Sequence, residues 1–123
     1  MRHLSLGLAI GWMAVLFWLS AQPGIDAPQL FPGQDKVFHA SVYGILGCLL
    51  LGAARRAARG YNLRQVATAT LIASLYGISD EFHQSFVPGR SADVWDWAAD
   101  TTGALLATWL MAWASTSITR RVG

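Results

Sequence analysis

Charged residues and cysteine are scarce in this chain, and their scarcity excludes most classes of soluble protein. Of 123 residues, nine are Lys or Arg and seven are Asp or Glu. Charged residues are thus 13% of the chain, against about 25% in soluble domains. The single Cys48 cannot form a disulfide within one copy. Together with a hydrophobic content of 54%, this argues against a soluble catalytic domain, an ATPase or a DNA-binding module, and no nucleic-acid partner is expected.

Long runs without any charge predict helices that cross a membrane. No Asp, Glu, Lys or Arg occurs in residues 3–25, 37–54, 65–79 and 101–119. A helix crosses the hydrocarbon core, about 30 Å thick, with about 20 residues. The sequence therefore predicts an all-α fold, with residues 1–123 forming one membrane domain of four transmembrane helices. These are placed at about residues 4–21, 36–54, 65–83 and 96–118.

The segments between the predicted helices are consistent with this arrangement. Residues 22–34 hold three prolines and two glycines and are predicted to be a loop. The first apolar run could also be a signal peptide, but three further spans follow it, so a retained helix is the prediction.

The distribution of Arg and Lys predicts the orientation of the bundle. With four spans, the N-terminus, the 55–64 turn and the C-terminus share one side of the membrane. That side holds Arg2, Arg55, Arg56, Arg59, Arg64, Arg120 and Arg121, and the other side holds Lys36 and Arg90. Short cytoplasmic loops are enriched in Arg and Lys. Both termini are therefore expected in the cytoplasm.

Small residues spaced three or four apart mark one face of each predicted span. They are Gly7 and Gly11, Gly44 and Gly47, Ala69, Ala73 and Gly77, and Ala99, Gly103 and Ala107. Small residues at this spacing allow helix backbones to approach closely in lipid. We expect packing within one bundle, with a homo-oligomer as the alternative.

Polar and ionisable residues concentrate at the predicted external end of the bundle. An ionisable group at membrane depth costs about 2.5–3.5 kcal/mol even on the lenient insertion scale, so these residues should pair or serve a function. Helical spacing places them on the same faces as the small residues. We therefore predict that three helices contribute them to a shared external pocket. The candidate ligand-binding residues are Asp35, Lys36, His39, Tyr43, Asp80, Glu81, Gln84, Arg90, Asp93, Asp96 and Asp100.

The same residues could hold a divalent cation, which is the one cofactor that the sequence suggests. Carboxylate oxygens are the ligands that hard divalent cations prefer. The candidate metal ligands are Asp80, Glu81, Asp96 and Asp100, with His39 or His83 beside them. No catalytic residue is assigned. Trp95, Trp97, Phe82 and Phe86 are expected at the membrane interface, where aromatic residues commonly anchor helices.

Three ordered segments give the chain a resemblance to a known family. They are Asp35-Lys36-Val37-Phe38-His39 with Tyr43 and Gly44, then residues 76–84 (YGISDEFHQ), then residues 86–93 (FVPGRSAD) followed by Asp96, Asp100, Thr101 and Gly103. In order and spacing they resemble the VanZ-like family of small bacterial integral membrane proteins, over about residues 35–107. The resemblance implies a multi-pass protein of the bacterial cell membrane. It also implies a link to the cell envelope and to teicoplanin (glycopeptide) resistance.

Three roles remain open for the polar cluster. The leading interpretation is a pocket that binds or modulates an envelope ligand, such as a lipid head group, a cell-wall precursor or a lipophilic glycopeptide. The first alternative is a metal-dependent membrane enzyme acting on a lipid-linked head group, in which a bound metal would supply the chemistry. The second is a purely structural cluster, in which Lys36 and Arg90 neutralise the carboxylates and fasten the helix ends together.

Overall fold

The computed structural model of the chain has four α-helices in the residues that it describes. It describes residues 2–22, 30–55 and 60–122, with the side chains of the last helix described through Thr116. The helices are α1 (Arg2–Ser20), α2 (Gln34–Ala53), α3 (Leu63–Gln84) and α4 (Val94–Val122), and these ranges contain no strand. The all-helical prediction is confirmed, and each helix begins two residues before its predicted start.

Local sequence signals explain where α2, α3 and α4 begin. Gly33 precedes α2 with a φ of 81°, a left-handed conformation that favours glycine. Asn62 caps α3 through a capping box, in which its side chain accepts a hydrogen bond from the backbone of Gln65 and the Gln65 side chain accepts one from the backbone of Asn62. At the start of α4, Asp93 Oδ1 accepts a hydrogen bond from the backbone N–H of Trp95.

Successive helices run in opposite directions, so the bundle has two distinct ends. Ser5 lies beside Gly52 at one end, where Thr116 also lies beside Gly60. At the other end, Lys36 reaches the start of α4. We call this second end, formed by the last turns of α1 and α3 and the first turns of α2 and α4, the carboxylate end. The arginines at 56, 59, 120 and 121, on which the predicted orientation also depends, lie outside the described residues or side chains.

Small residues bring α2 and α4 into close contact. A β-carbon at Gly44 would lie 3.3 Å from both Ala107 and Gly103, and one at Gly47 would lie 3.0 Å from Thr108. At Gly103 an added β-carbon would overlap the backbone carbonyl of Ala40. The predicted use of these small residues for packing within one bundle is confirmed for α2 and α4.

Gly7 and Gly11, the GxxxG pair of α1, do not contact a neighbouring helix in the described part of the chain. A β-carbon added at Gly7 or Gly11 would meet no described atom within 4 Å. The expectation that these two glycines pack within the bundle is therefore wrong. Their spacing identifies a common helix face, but it does not identify which face meets a neighbour.

Polar groups are buried in this bundle and apolar groups are exposed. The interior holds Asp80 at 7% exposure, Gln84 at 3%, and Asp100 and Thr108 at 0%. Large apolar side chains cover the outside of all four helices. Two helices, α1 and α2, are long and apolar enough to cross a membrane by length and composition; α3 and α4, as far as they are described, do not meet the same criterion.

Candidate functional site

A cavity of about 870 Å³ opens at the carboxylate end of the bundle. One part of its wall is apolar and comes from α1 and α2. The rest is mainly polar and comes from all four helices, from Gln22 after α1 and from the loop before α4. The lining residues are Leu16, Leu19, Ser20, Gln22, Gln34, Asp35, Phe38, His39, Val42, Tyr43, Asp80, Gln84, Gly89, Arg90, Ser91 and Asp96. The structure brings all eleven predicted ligand-binding residues to this end, and seven of them line the cavity.

Lys36 links α2 to the beginning of α4. Its ammonium group donates hydrogen bonds to Asp35 at 2.7 Å, to Asp93 at 2.9 Å and to Asp96 at 2.6 Å. The hydrogen bond from Lys36 lowers the pKa of the Asp93 carboxyl, which lies outside the helices. One cation therefore serves three carboxylates, and only Asp96 among them is mostly shielded, with 13% of its side chain exposed.

His39 joins the same two helices one turn deeper. Its Nδ1 atom lies 2.8 Å from Asp100 Oδ1, and its Nε2 atom lies 3.7 Å from Asp96 Oδ2. A carboxylate can only accept a hydrogen bond, so Nδ1 carries the proton in this contact. When the imidazole is neutral, its Nε2 lone pair then points towards Asp96.

Asp80 is held by two side chains in the interior of the bundle. Tyr43 donates its hydroxyl hydrogen bond to Asp80 Oδ2 at 3.0 Å, and Gln84 Nε2 donates to the same oxygen at 3.5 Å. Tyr43 is only 1% exposed. These contacts satisfy Asp80 Oδ2, as buried polar groups require, and no described cation forms a salt bridge with Asp80.

Two other buried carboxylates are only partly satisfied. Glu81 Oε2 accepts a hydrogen bond from the backbone N–H of Asp93 at 3.0 Å, whereas Glu81 Oε1 receives none from the described residues. Asp100 Oδ2 is likewise without a donor in the described part of the chain. Glu81 is 7% exposed and Asp100 is fully buried. An unsatisfied buried acceptor costs about 1–3 kcal/mol, and more when it is charged.

Three ligand-type groups converge beside the cavity. One ring nitrogen of His39 and one carboxylate oxygen each of Glu81 and Asp96 lie within 4.8 Å of one another. This set shares Glu81 and Asp96 with the predicted metal ligands. Asp80 and Asp100, the other two, are instead bound to Tyr43 and to His39.

His83, whose role was open in the sequence, lies with α1. Its Nδ1 atom forms a hydrogen bond with Ser20 Oγ at 3.0 Å, and its ring stacks on Phe17 with centroids 4.4 Å apart. The sequence left either histidine beside the carboxylates, and the structure gives that position to His39.

Arg90 lines the cavity and lies on a tight turn. Residues 87–90 form the turn, with Pro88 at its second position, a backbone hydrogen bond from Arg90 to Val87 and a φ of 78° at Gly89. This is the pattern of a type II turn. The Arg90 guanidinium makes no salt bridge to any described residue, although it lines the same cavity as Asp35, Asp80 and Asp96. The structural hypothesis that Arg90 neutralises these carboxylates does not match this geometry.

Tryptophans that tie helices together were not identified from the sequence. Trp97, expected at the membrane interface, is half-buried and donates its indole hydrogen bond to the Ser74 carbonyl at 3.1 Å. Trp12 donates to the Val42 carbonyl at 2.9 Å. Trp95 is 71% exposed and resembles the surface aromatic that was expected. The three-residue interval from Trp97 to Asp100 was the available signal, because it puts both residues on one face of α4, and both lie beside Gly77 of α3.

Comparison with known proteins gives a family for the chain. The family described as VanZ/LLP1 matches residues 5–115. No curated protein and no solved structure matches. The match covers most of the chain, including the first helix, which the resemblance of residues 35–107 did not reach.

Proposed function

Because the chain belongs to the VanZ/LLP1 family, we propose that it is a multi-pass protein of the bacterial cell membrane whose carboxylate end binds an envelope amphiphile. All four helices span the membrane, both termini are cytoplasmic, and the cavity opens on the external side. The ligand is an anionic lipid-linked molecule such as a cell-wall precursor, or a lipophilic glycopeptide such as teicoplanin.

The distribution of polar and apolar side chains supports membrane insertion of all four helices. Exposed apolar residues lie on the outer surface of each helix, including Trp18 at 62%, Leu75 at 56% and Trp113 at 62%. In water these surfaces would form large apolar patches, which monomeric soluble proteins rarely expose. In lipid they are favourable, and the buried carboxylates of α3 and α4 then face the bundle interior, where ionisable residues of membrane proteins usually lie.

Arg90 is the single observation that favours an anionic ligand. It lines a cavity that also has an apolar wall, and it has no ion-pair partner among the described residues. A guanidinium group binds phosphate or carboxylate through two parallel hydrogen bonds. Leu16 and Leu19 of α1 and Phe38 and Val42 of α2 could accept the apolar part of the same molecule. A ligand with an anionic head group bound at Arg90 and an apolar chain bound along these residues is an amphiphile.

An enzyme acting on a lipid-linked head group is the second candidate function. Glu81 and Asp96 are carboxylates beside the cavity that could support it, and Glu81 has a buried oxygen without a donor among the described residues. A general base needs such a free oxygen within reach of the substrate.

Ligand binding can be tested with the protein reconstituted in lipid nanodiscs. We expect a lipid-linked cell-wall precursor or teicoplanin to bind the wild type, and Arg90→Met to weaken that binding about 10- to 100-fold, which corresponds to loss of a charged hydrogen bond. Arg64→Met, at the opposite end of the bundle, is the matched control. Equal binding of either probe to wild type and Arg90→Met would contradict the proposal.

The orientation can be tested separately by labelling cysteines in a Cys48→Ala background. Ser91 and Leu63 are both exposed and lie at opposite ends of the bundle. We expect a membrane-impermeant maleimide to label Ser91→Cys in intact cells and Leu63→Cys only after lysis. The reverse pattern would place the cavity on the cytoplasmic side.

A further inference from the structure

The geometry of His39, Glu81 and Asp96 points to a binding site for one divalent transition-metal ion, and we propose Zn²⁺ or Mn²⁺ as its occupant. One ligand atom from each residue lies within 4.8 Å of the other two. The set combines an imidazole nitrogen with two carboxylate oxygens, a mixture that suits these ions better than Mg²⁺ or Ca²⁺, which prefer oxygen alone. This inference does not rest on the proposed ligand, because the three residues converge whatever occupies the cavity.

The orientation of His39 is the arrangement that a metal ligand needs. Asp100 Oδ1 holds the Nδ1 atom of His39 at 2.8 Å, which leaves Nε2 as the atom directed at Asp96. Metal-binding histidines almost always donate their other N–H group to a carboxylate or carbonyl, which fixes the tautomer and the ring orientation. Asp100 is fully buried and supplies that contact from α4 to α2.

Lys36 fixes the orientation of the Asp96 carboxylate in a similar way. The ammonium group of Lys36 binds Asp96 Oδ1 at 2.6 Å, so Oδ2 is the oxygen that faces His39 Nε2, at 3.7 Å. Ligands bound tetrahedrally to zinc at about 2.0–2.2 Å are about 3.4 Å apart. The separation of His39 and Asp96 therefore needs only a small adjustment to accept an ion, and Glu81, whose ligand atom lies within 4.8 Å of the other two, would move closer on binding.

Glu81 supplies the observation that is independent of the cluster itself. Its side chain is buried, and Oε1 has no hydrogen-bond donor among the described residues. The other oxygen is fixed by the backbone N–H of Asp93, so the carboxylate cannot turn freely to find a donor. A cation between Glu81, His39 and Asp96 would satisfy this oxygen, which otherwise remains a buried acceptor with a large cost.

The charges around the site also favour a divalent ion. Glu81, Asp96 and Asp100 lie together, and the nearest fixed cation, Lys36, also binds the carboxylates of Asp35 and Asp93. A bound M²⁺ would supply two positive charges where the carboxylates are buried. Three protein ligands leave coordination positions open, and because His39 and Asp96 line the cavity, these positions would face it.

Metal binding can be measured directly on the purified full-length chain in detergent. The protein is treated with a chelator, dialysed, titrated with ZnCl₂ or MnCl₂ against a competing chelator, and its metal content is determined by mass spectrometry. We expect one ion per chain and a rise in melting temperature when Zn²⁺ or Mn²⁺ is added, with little response to Ca²⁺. Co²⁺ should give the visible d–d absorption of a bound ion with a nitrogen ligand.

Variants distinguish this site from unspecific binding to carboxylates. Glu81→Gln and His39→Gln should each reduce affinity at least tenfold. Asp100→Asn replaces the charged acceptor of the His39 Nδ1–H group by a weaker amide oxygen, and should reduce affinity about tenfold. His83→Gln is the matched control, because it removes an imidazole that lies with α1 at the same end and should leave metal affinity unchanged.

The proposal is overturned if the wild type holds no more metal than Glu81→Gln, or if Co²⁺ produces no d–d band with the folded wild type. Arg90→Met separates this result from the proposed ligand binding, because it should weaken binding of the amphiphile and leave metal binding intact.

Discussion

At the end of the bundle opposite the carboxylates, Leu51, Val66, Ala69 and Ala112 form an apolar cluster. The helices there meet without any buried charge among the described residues. At the carboxylate end, the same helices are joined by one ammonium group, one imidazole and several carboxylates. Both ends belong to one bundle, yet among the described residues only the carboxylate end contains buried Asp or Glu side chains.

The opposite end shows that this chain can pack its helices without buried charges. Replacing a buried ion pair by apolar residues of similar volume is often neutral or even stabilising, because the desolvation cost disappears. The carboxylate end therefore carries groups that helix packing does not require. This comparison favours a binding role for the carboxylates over a purely structural one, and variants at the two ends can test it.

The largest loss of stability is expected for Lys36→Met. The change leaves Asp35, Asp93 and Asp96 without their shared cation, and loss of one partner of a buried pair costs about 3–5 kcal/mol. Because about a third of the Lys36 side chain is exposed, we expect about 3 kcal/mol, the lower end of this range. Thermal unfolding in detergent, followed by tryptophan fluorescence, measures the effect.

Arg90→Met is the matched control for this prediction. It removes a cation from the same end, but one without a salt bridge to the described residues, so the melting temperature should change little. A loss as large as that of Lys36→Met would mean that both cations hold the cluster together. Arg90 would then have a structural role like that of Lys36, and its assignment to ligand binding would be contradicted.

A smaller loss is expected for Gly103→Ala, which tests the contact between α2 and α4. The new methyl group would overlap the Ala40 carbonyl, and overpacking of this kind costs about 1–3 kcal/mol. Gly7→Ala is the control, because its β-carbon would enter open space, and the better helix propensity of alanine should leave stability unchanged or slightly higher. If both variants are equally stable, α2 and α4 do not pack as closely as described.

The smallest of the three effects is expected at the opposite end, for Asn62→Ala. The change removes the cap of α3, and a lost cap costs about 1 kcal/mol. Binding of metal and amphiphile should not change, because Asn62 lies at the other end of the helix from Glu81. If Asn62→Ala has normal thermal stability but impaired binding, the two ends of the bundle are coupled. The conclusion that helix packing at the opposite end is independent of the binding site would then be wrong.

Much of the fold was accessible from the sequence, because long apolar runs and their boundaries predict helices directly. The carboxylate end was also accessible, since the spacing of Lys36, His39 and Tyr43 places them on one face of one helix. The structure supplied what spacing along a single helix cannot give, namely the rotation of each helix towards its neighbours. This is why Gly7 and Gly11 were wrongly expected in the interior.

Individual partners within the site were harder to predict for the same reason. The sequence offered six carboxylates for two cations, Lys36 and Arg90. Nothing in it showed that, among the described residues, Lys36 forms three salt bridges and Arg90 forms none. The support of His39 by Asp100 depends on the positions of α2 and α4, which are set by contacts between small residues. The contact of Trp97 with Ser74 was not predicted, because an aromatic residue near a helix start fits a membrane interface and a helix contact equally well.

The missing side chain at Gly103 also governs how accurately the site is built. Gly103 lies three residues after Asp100, and Ala40, which it contacts, is next to His39. The backbone contact between Gly103 and Ala40 therefore sets the distance between α2 and α4 beside the pair of His39 and Asp100. Any change in this contact changes the distance between the two helices that carry His39 and Asp100. Gly103, which has no side chain, thereby determines how far apart the imidazole of His39 and the carboxylate of Asp100 lie.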